Sequence, residues 1–318
     1  MSFYDEAWFH HALTDTVYQL AQQKPSKMYS AVRVKEGVTG KTQPFDRIGP
    51  VSMAPITQRH QVGVGSDIPK TKRRVALKDF YVRVYVDDLD QVRQLPSLQS
   101  EDTQQVAYSR NRHLDVLITA GALGTATNVD EANESTSTTA LPTTGGPGNV
   151  GQVIVNGSAG LTLTKIMDAK WIFDENNVDS EDRYFFYSPR GMRRLLEDTK
   201  VTSSDYNTVK ALVSGGFSED EMWHGFRWRM SNLLPKAGVI TLPDGQLYPV
   251  ITSPGANIRS CVAWQKNALG AAVAGIGGIS VKDRPDMIRT TQVELVLSAN
   301  AIRIEEVGVL RIDIDESV

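Results

Sequence analysis

The chain has 318 residues, 41% hydrophobic and 22% charged, with 34 basic against 37 acidic residues and a net charge of -3. At this length folding buries roughly three quarters of the unfolded surface, enough for a core without crosslinks, and about 150 residues per domain predicts two domains. The balanced charge excludes a dedicated nucleic-acid binder, whose basic excess would show in the total, though not a protein that surrounds nucleic acid. The single cysteine, Cys261, excludes an intramolecular disulfide and a cysteine-based zinc cluster, and points to a reducing compartment. The first fifteen residues lack the basic and apolar regions of a secretory signal, and the most apolar stretch, Ala268–Ile279, is too short and glycine-rich to span a bilayer. Neither a secreted nor a membrane protein is expected.

In chain order, residues 1–44 carry only a short amphipathic segment, Ala7–Ala21, which Pro25 ends; the rest reads as an extended arm. Strand texture starts at Phe45 and returns in Arg74–Val86, where apolar residues alternate except for a skipped beat at Lys78-Asp79. The polar stretch between them, Thr57–Arg73, makes a long hairpin with Lys70, Lys72, Arg73 and Arg74 near its tip. Leu98–Ala122 has overlapping faces at i, i+3, i+4 and i+7, which predicts a helix about 35 Å long at ~1.5 Å per residue. Residues 123–160 are rich in Ser, Thr, Gly and Pro and read as a loop or inter-domain crossing. A helix over Leu161–Val178, a buried strand over Arg183–Pro189, and helices over Gly191–Asp198 and Thr208–Val213 follow. Strands flank Pro243-Asp-Gly, and Gln292–Leu297 and Val307–Ile314 read as strands around Asn300. The order of elements is α+β, without a repeat.

No catalytic constellation emerges. Gly146-Pro-Gly-Asn-Val-Gly151 matches G-x-G-x-x-G as a string, but a Ser/Thr-rich loop precedes it and a strand-like run follows, where a dinucleotide site needs strand and then helix. Gly157-Ser158-Ala-Gly160 follows Asn156, not the glycine that a nucleophile elbow requires, and reads as a turn. Of the five histidines only His10 and His11 are close, in a spacing that suits no metal; His113 lies on the apolar side of the long helix and reads as packed. Asp87, Asp88 and Asp90 lack the glycine and distant glutamate of a calcium loop. Asp168, Asp174 and Glu175 read as solvated charges on a helix face. No catalytic, cofactor or metal residue is assigned. The bases Arg59, Lys70, Lys72, Arg73 and Arg74 are candidate inter-subunit contacts, since no aromatic residue interleaves with Lys70–Arg74 as single-strand binding favours. An arm and a projecting hairpin expose groups that a monomer satisfies poorly, which points to an obligate assembly.

Three stretches carry a resemblance. The first is the order of extended arm, hairpin with bases near its tip, and long helix. The second is Asn177-Val178, then Arg183-Tyr-Phe-Phe-Tyr-Ser-Pro189, then Leu195-Leu196. The third runs from Ser203-Ser-Asp-Tyr206 through Gly215-Gly-Phe to His224-Gly-Phe-Arg-Trp-Arg-Met-Ser-Asn-Leu-Leu-Pro235. Together they resemble the major capsid proteins of tailed bacteriophages, of the Hong Kong ninety-seven type, over most of residues 40–312.

The resemblance implies an α+β tailed-phage capsid fold. Its parts would be an N-arm (1–44), an extended β-hairpin or E-loop (45–86), a peripheral domain with a long spine helix (87–135 and 286–318) and an axial domain (136–285). It implies a non-enzymatic protein that self-assembles, as pentamers and hexamers, into an icosahedral shell. That shell would enclose double-stranded DNA without sequence-specific binding, need no cofactor, and be assembled in the host bacterial cytoplasm to become the virion capsid. With no charged coiled-coil region ahead of the arm, a separate scaffolding protein is expected, with a portal and a decoration protein as further partners. An encapsulin-like compartment around a protein cargo is the alternative within the fold. An enzyme using the Gly-rich loop or the Asp168/Asp174 face is the alternative outside it.

Overall fold

A computed structural model describes residues 22–59, 61–63, 65–87, 98–130, 135–143, 151–197, 222–251, 254–274, 278–288 and 290–317. The expected helices at Ala7–Ala21 and Thr208–Val213, and the acids Asp88 and Asp90, lie outside them.

The strands are β1 (Arg33–Val38), β2 (Thr42–Ile48), β3 (Lys70–Ala76), β4 (Lys78–Asp87), β5 (Ala126–Asp130), β6 (Ser135–Thr139), β7 (Val153–Ile154), β8 (Arg183–Tyr187), β9 (Met222–Trp223), β10 (Phe226–Met230), β11 (Val239–Thr241), β12 (Leu247–Pro249), β13 (Ile258–Gln265), β14 (Leu269–Ala274), β15 (Ser280–Arg284), β16 (Thr290–Arg303) and β17 (Val309–Asp315). The helices are α1 (Leu98–Leu123), α2 (Leu163–Glu175) and α3 (Pro189–Glu197).

The long strand β16 organises the first sheet. It pairs with β4 along one edge, from Thr290 opposite Asp87 to Ala299 opposite Lys78, while β15 and β14 pair with it along the other. β1 adds in parallel beyond β14. Val82, Val84, Val293 and Leu295 alternate toward α1, where Val106 meets them; Leu114 and Leu117 pack on Leu297 and Ala299. Gly121 lets α1 sit directly on β16, since a Cβ there would lie 2.5 Å from the Ala301 carbonyl. The strand expected over Gln292–Leu297 runs on through Asn300 to Arg303.

The skipped beat at Lys78-Asp79 marks a change of sheet. β3 pairs with β2 in a separate four-stranded sheet, ordered β2-β3-β5-β6, and after Leu77 the same run becomes β4. Leu77 N–H donates to the Lys41 carbonyl (3.0 Å), and the Asn300 amide donates to the Ala76 carbonyl (2.7 Å), which satisfies the backbone at the break. β5 and β6 fall inside the stretch read as a loop. Their Thr-Asn-Val-Asp and Ser-Thr-Ser-Thr-Thr residues are compatible with strands once β3 supplies a partner edge.

The second sheet runs β7-β17-β13-β8-β10-β9. Its centre is aromatic: Phe185 stacks on Trp228 with ring centroids 4.3 Å apart, and Phe186 on Trp264 at 4.4 Å. α2 covers one face through Ile166, Ala169, Ile172 and Phe173, with Thr162 capping its start. α3 follows β8 directly; Ser188 caps it and Pro189 opens it. β17 belongs to this sheet, although it lies within the 286–318 stretch expected in the peripheral domain. Its Val309, Leu310, Ile312 and Ile314 are buried in the aromatic core. β14 and β15, from the 136–285 stretch, pair with β16, so the chain passes back and forth between the two sheets.

A strap ties the sheets together. Asp115, buried on α1, accepts hydrogen bonds from the Gln23 and Ser26 side chains and from the Lys27 and Met28 N–H groups (3.0 and 3.2 Å). On the other side, Arg229 of β10 donates to the Lys27 carbonyl and the Ser30 hydroxyl, both at 2.7 Å, and the Trp264 indole donates to the Ala31 carbonyl at 2.9 Å. Burial pushes the Asp115 carboxyl above its ordinary value, against the pull of those donors. Asp115→Ala therefore leaves the two N–H groups without that acceptor and costs on the order of 2–3 kcal/mol. Hydrogen exchange at the Lys27 and Met28 amides should accelerate, and unchanged protection would remove the strap's dependence on Asp115.

His113 is packed, as expected: its ring lies edge-on to Phe80 (4.1 Å) and to Tyr248 of β12 (6.3 Å). Burial lowers its pKa below the ordinary value of 6.5. The folded state thus binds fewer protons there, so this contribution is complete above about pH 6.5 and is lost as pH falls through the lowered folded value. Thermal melts between pH 7.5 and 5 should show a shallower loss for His113→Phe than for the parent; identical slopes would contradict the assignment.

Candidate assembly surface

The hairpin of β2 and β3 carries a loop that leaves at Gly49 and returns at Pro69. Its neck is closed where the Gly49 N–H donates to the Pro69 carbonyl (2.8 Å), and a Cβ on Gly49 would strike the Pro69 ring at 2.6 Å. Beyond the neck, Val51, Met53, Ile56, Val62 and Ile68 stand exposed, Met53 at 99% and Ile56 at 87%. Covering each such side chain is worth about 1.5–3 kcal/mol. This exposed apolar row makes the loop the candidate contact surface.

The five candidate bases occupy different environments. Arg59 is exposed on the loop, and Lys70 and Arg74 are exposed on β3 with Lys72 half-buried between them. Arg73 points the opposite way and is 2% exposed. It donates to the Arg303 carbonyl (2.8 Å) and forms a close ion pair with Glu306, so its contacts lie within its own subunit. Strand alternation carries this signal: in Lys70-Thr-Lys-Arg-Arg-Val75, Arg73 shares a face with buried Val75, while Lys70, Lys72 and Arg74 share the other.

Arg303 completes the anchor. Fully buried, it donates to the carbonyls of Ala122 (2.8 Å), Gly124 (2.9 Å) and Thr139 (3.0 Å), joining α1, its exit and β6. Burial lowers its pKa to about 10, still high enough to hold the proton at neutral pH. Arg47 of β2 approaches Glu306 at 3.9 Å. One carboxylate thus holds the base of the hairpin against two buried guanidinium groups. Nothing in the local sequence signals this, since Arg73 and Glu306 are brought together from opposite ends of the chain.

Residues 146–150, His10 and His11, and the stretch 203–217 lie outside the described residues; the other motifs take structural places. Gly157-Ser-Ala-Gly160 is a turn, with the Ala159 N–H donating to Asn156 and the buried Lys165 ammonium donating to the carbonyls of Asn156, Ala159 and Asp313. Asp174 pairs with Arg183 at 2.7 Å, whereas Asp168 and Glu175 are exposed. The Ser231-Asn-Leu-Leu-Pro235 run closes β10: the Ser231 hydroxyl accepts from the Leu233 N–H, and the Pro235 carbonyl accepts from Ser260. A cleft of about 480 Å³ beside α1 holds Phe80, Leu297, Ser109 and His113. The His113 Nε2 has no hydrogen-bond partner among the described residues. Among the described residues no group of three His, Cys, Asp or Glu is placed to hold a metal. Burial pushes the Cys261 thiol up to about 12, which makes it inert.

Glu306→Gln leaves Arg73 and Arg303 buried without their carboxylate and should cost about 3 kcal/mol or more in denaturant unfolding. Adding Arg73→Met should recover part of that loss; no loss in the single variant would refute the anchor.

Solved structures share the fold. The capsid of cyanophage P-SCSP1u superposes with a TM-score of 0.65 at 17% identity, over 93% of this chain and 90% of that one. The mature capsid protein of bacteriophage PhiM1 gives 0.64 at 14%, over 95% and 91%. The SrpI encapsulin of Synechococcus elongatus gives 0.58 at 11%, over 100% and 98%. The fold is therefore the α+β capsid fold that the resemblance implied. No curated protein matches the chain in sequence. A family model described as phage capsid protein matches residues 6–316, and the chain belongs to that family, one of structural proteins, not enzymes.

Proposed function

We propose, from membership of the phage capsid protein family, that this protein is a major capsid protein whose copies form pentamers and hexamers of an icosahedral shell around double-stranded DNA. The observation that carries the reading is the β2–β3 hairpin, whose exposed apolar loop has no cover within the described residues of its own subunit and fits a neighbouring copy. Arg59, Lys70, Lys72 and Arg74 would meet acidic residues of that neighbour, while the inward Arg73 sets the hairpin's base. Contacts that are individually modest hold because each subunit makes many at once. The net charge of -3 suits a shell that encloses DNA without gripping it. Assembly in the host cytoplasm, with a separate scaffolding protein and a portal, completes the proposal.

An encapsulin-like compartment is the second reading, favoured by the full-length superposition on the SrpI shell. Nucleic acid of genome length in purified particles supports the capsid, and a protein cargo without it supports the compartment.

Negative-stain microscopy and sedimentation of the protein, alone and with candidate scaffolding proteins, should show closed shells or rings. A compact monomer under every condition would overturn the reading. Met53→Asp with Ile56→Asp should reduce particle yield by about tenfold or more, since each buried charge costs more than the ~1.4 kcal/mol that a factor of ten represents. Lys70, Lys72 and Arg74 replaced by Glu should impair assembly while leaving the folded subunit intact by circular dichroism. Normal yield and stability of that variant would remove the basic face from the interface.

A further inference from the structure

The two helices on the second sheet present opposite and complementary stripes. On α2, Thr164, Met167, Asp168, Trp171, Asp174 and Glu175 follow one another at i+3 and i+4 and are exposed, while Lys165, Ile166, Ala169, Ile172 and Phe173 form the buried stripe. Trp171 is 56% and Met167 55% exposed. An exposed tryptophan beside an exposed methionine, rimmed by carboxylates, is an unusual surface for a helix in solution and matches the aromatic and Met enrichment of interface cores.

On α3 the exposed stripe is Arg190, Arg193, Arg194 and Glu197, flanked by the partly exposed Leu196. Glu197 is shared by Arg193 (3.1 Å) and Arg194 (2.9 Å), so the stripe keeps an excess of positive charge. On α2 the exposed Lys170 offsets one carboxylate and Asp174 pairs with Arg183, so Asp168 and Glu175 leave an excess of one negative charge. Among the described residues no ion pair joins the two stripes within one subunit. The start of α2 lies near α3, where a Cβ on Gly160 would touch the Arg194 side chain. Trp171 sits two turns further along, beside Lys170, whose side chain reaches Gly225 in the β9–β10 turn. α2 starts beside β7 and β17, where α3 also lies against Ile314 of β17, and its other end approaches the β9–β10 turn through Lys170.

We infer that α2 of one copy docks against α3 of the next, with Trp171 and Met167 covered by Leu196 and the arginine stems, and Asp168 and Glu175 meeting Arg193 and Arg194. The occupant is a second copy of this chain, because the charge and apolar character that the α2 stripe calls for are those that α3 supplies. Arginine stems cover apolar surface while their guanidinium groups stay paired. The two patches differ, so the contact is heterologous and repeats head to tail around a ring. The inference rests on the shell reading, to which it adds a lateral contact distinct from the hairpin.

The test uses particles purified from cells. Asp168→Cys with Arg193→Cys, in a chain whose Cys261 is buried, should give an oxidative ladder of dimers up to closed rings in assembled particles and none in dispersed subunits. Arg193→Glu with Arg194→Glu should cut particle yield by about tenfold, as like charges then face each other, and Asp168→Lys with Glu175→Lys in the same chain should restore most of it. Acrylamide quenching, read as the difference between parent and Trp171→Phe, should show Trp171 shielded on assembly. Normal particles with no ladder, no rescue and a quenchable Trp171 would overturn the lateral contact and leave the shell reading standing. A parent protein that forms no particles under any condition would overturn both.

Discussion

The buried guanidinium of Arg303 is the point through which the molecule's long-range organisation passes. It sits at the end of β16 and binds three carbonyls, from the end of α1, from the residue after it, and from β6, while its own carbonyl receives Arg73. The first sheet, α1, the four-stranded sheet β2-β3-β5-β6 and its hairpin are thereby fixed to one residue. Glu306, three residues on, supplies the counter-charge that makes the burial of both arginines tolerable. The spread of guanidinium N–H groups suits this junction, with Nη1 donating to Ala122 and Gly124 and Nη2 to Thr139.

The Asp115 strap does the same for the other half. Residues 22–31 run between α1 and the second sheet, gripped on one side by a carboxylate and on the other by Arg229 and Trp264. Both junctions use side chains to satisfy backbone groups where regular ladders end. The two sheets are therefore held by hydrogen-bonded ties beside their apolar contact, which gives the arrangement a defined geometry as well as stability.

How much was legible depended on the range of the interaction. Helix α1 and the aromatic strand β8 were readable because their signals are local: i, i+3, i+4 spacing in one, and five consecutive apolar or amphipathic residues before a proline in the other. The interruption at Lys78-Asp79 was visible as a pattern, but its meaning depends on β16, more than two hundred residues away. β5 and β6 were hidden because Ser and Thr favour loops by composition and become strands here through pairing with β3. Arg73 was readable in principle from alternation with Val75, yet clustered charge drew it into the exposed set. The Arg303–Glu306 partnership had no sequence signal, since the fold alone brings its members to Arg73.

Leu77 gives the fold a mechanical path. It is the single residue between β3, which carries the hairpin, and β4, which is laced to β16 by ten consecutive backbone pairs. Tension arriving from a neighbour that grips the hairpin thus reaches the central strand through covalent backbone, and is then divided over a ladder of hydrogen bonds. A subunit built this way converts a pull on its most exposed loop into a distributed load on its most deeply embedded strand, so strength and reach come from one continuous stretch of chain.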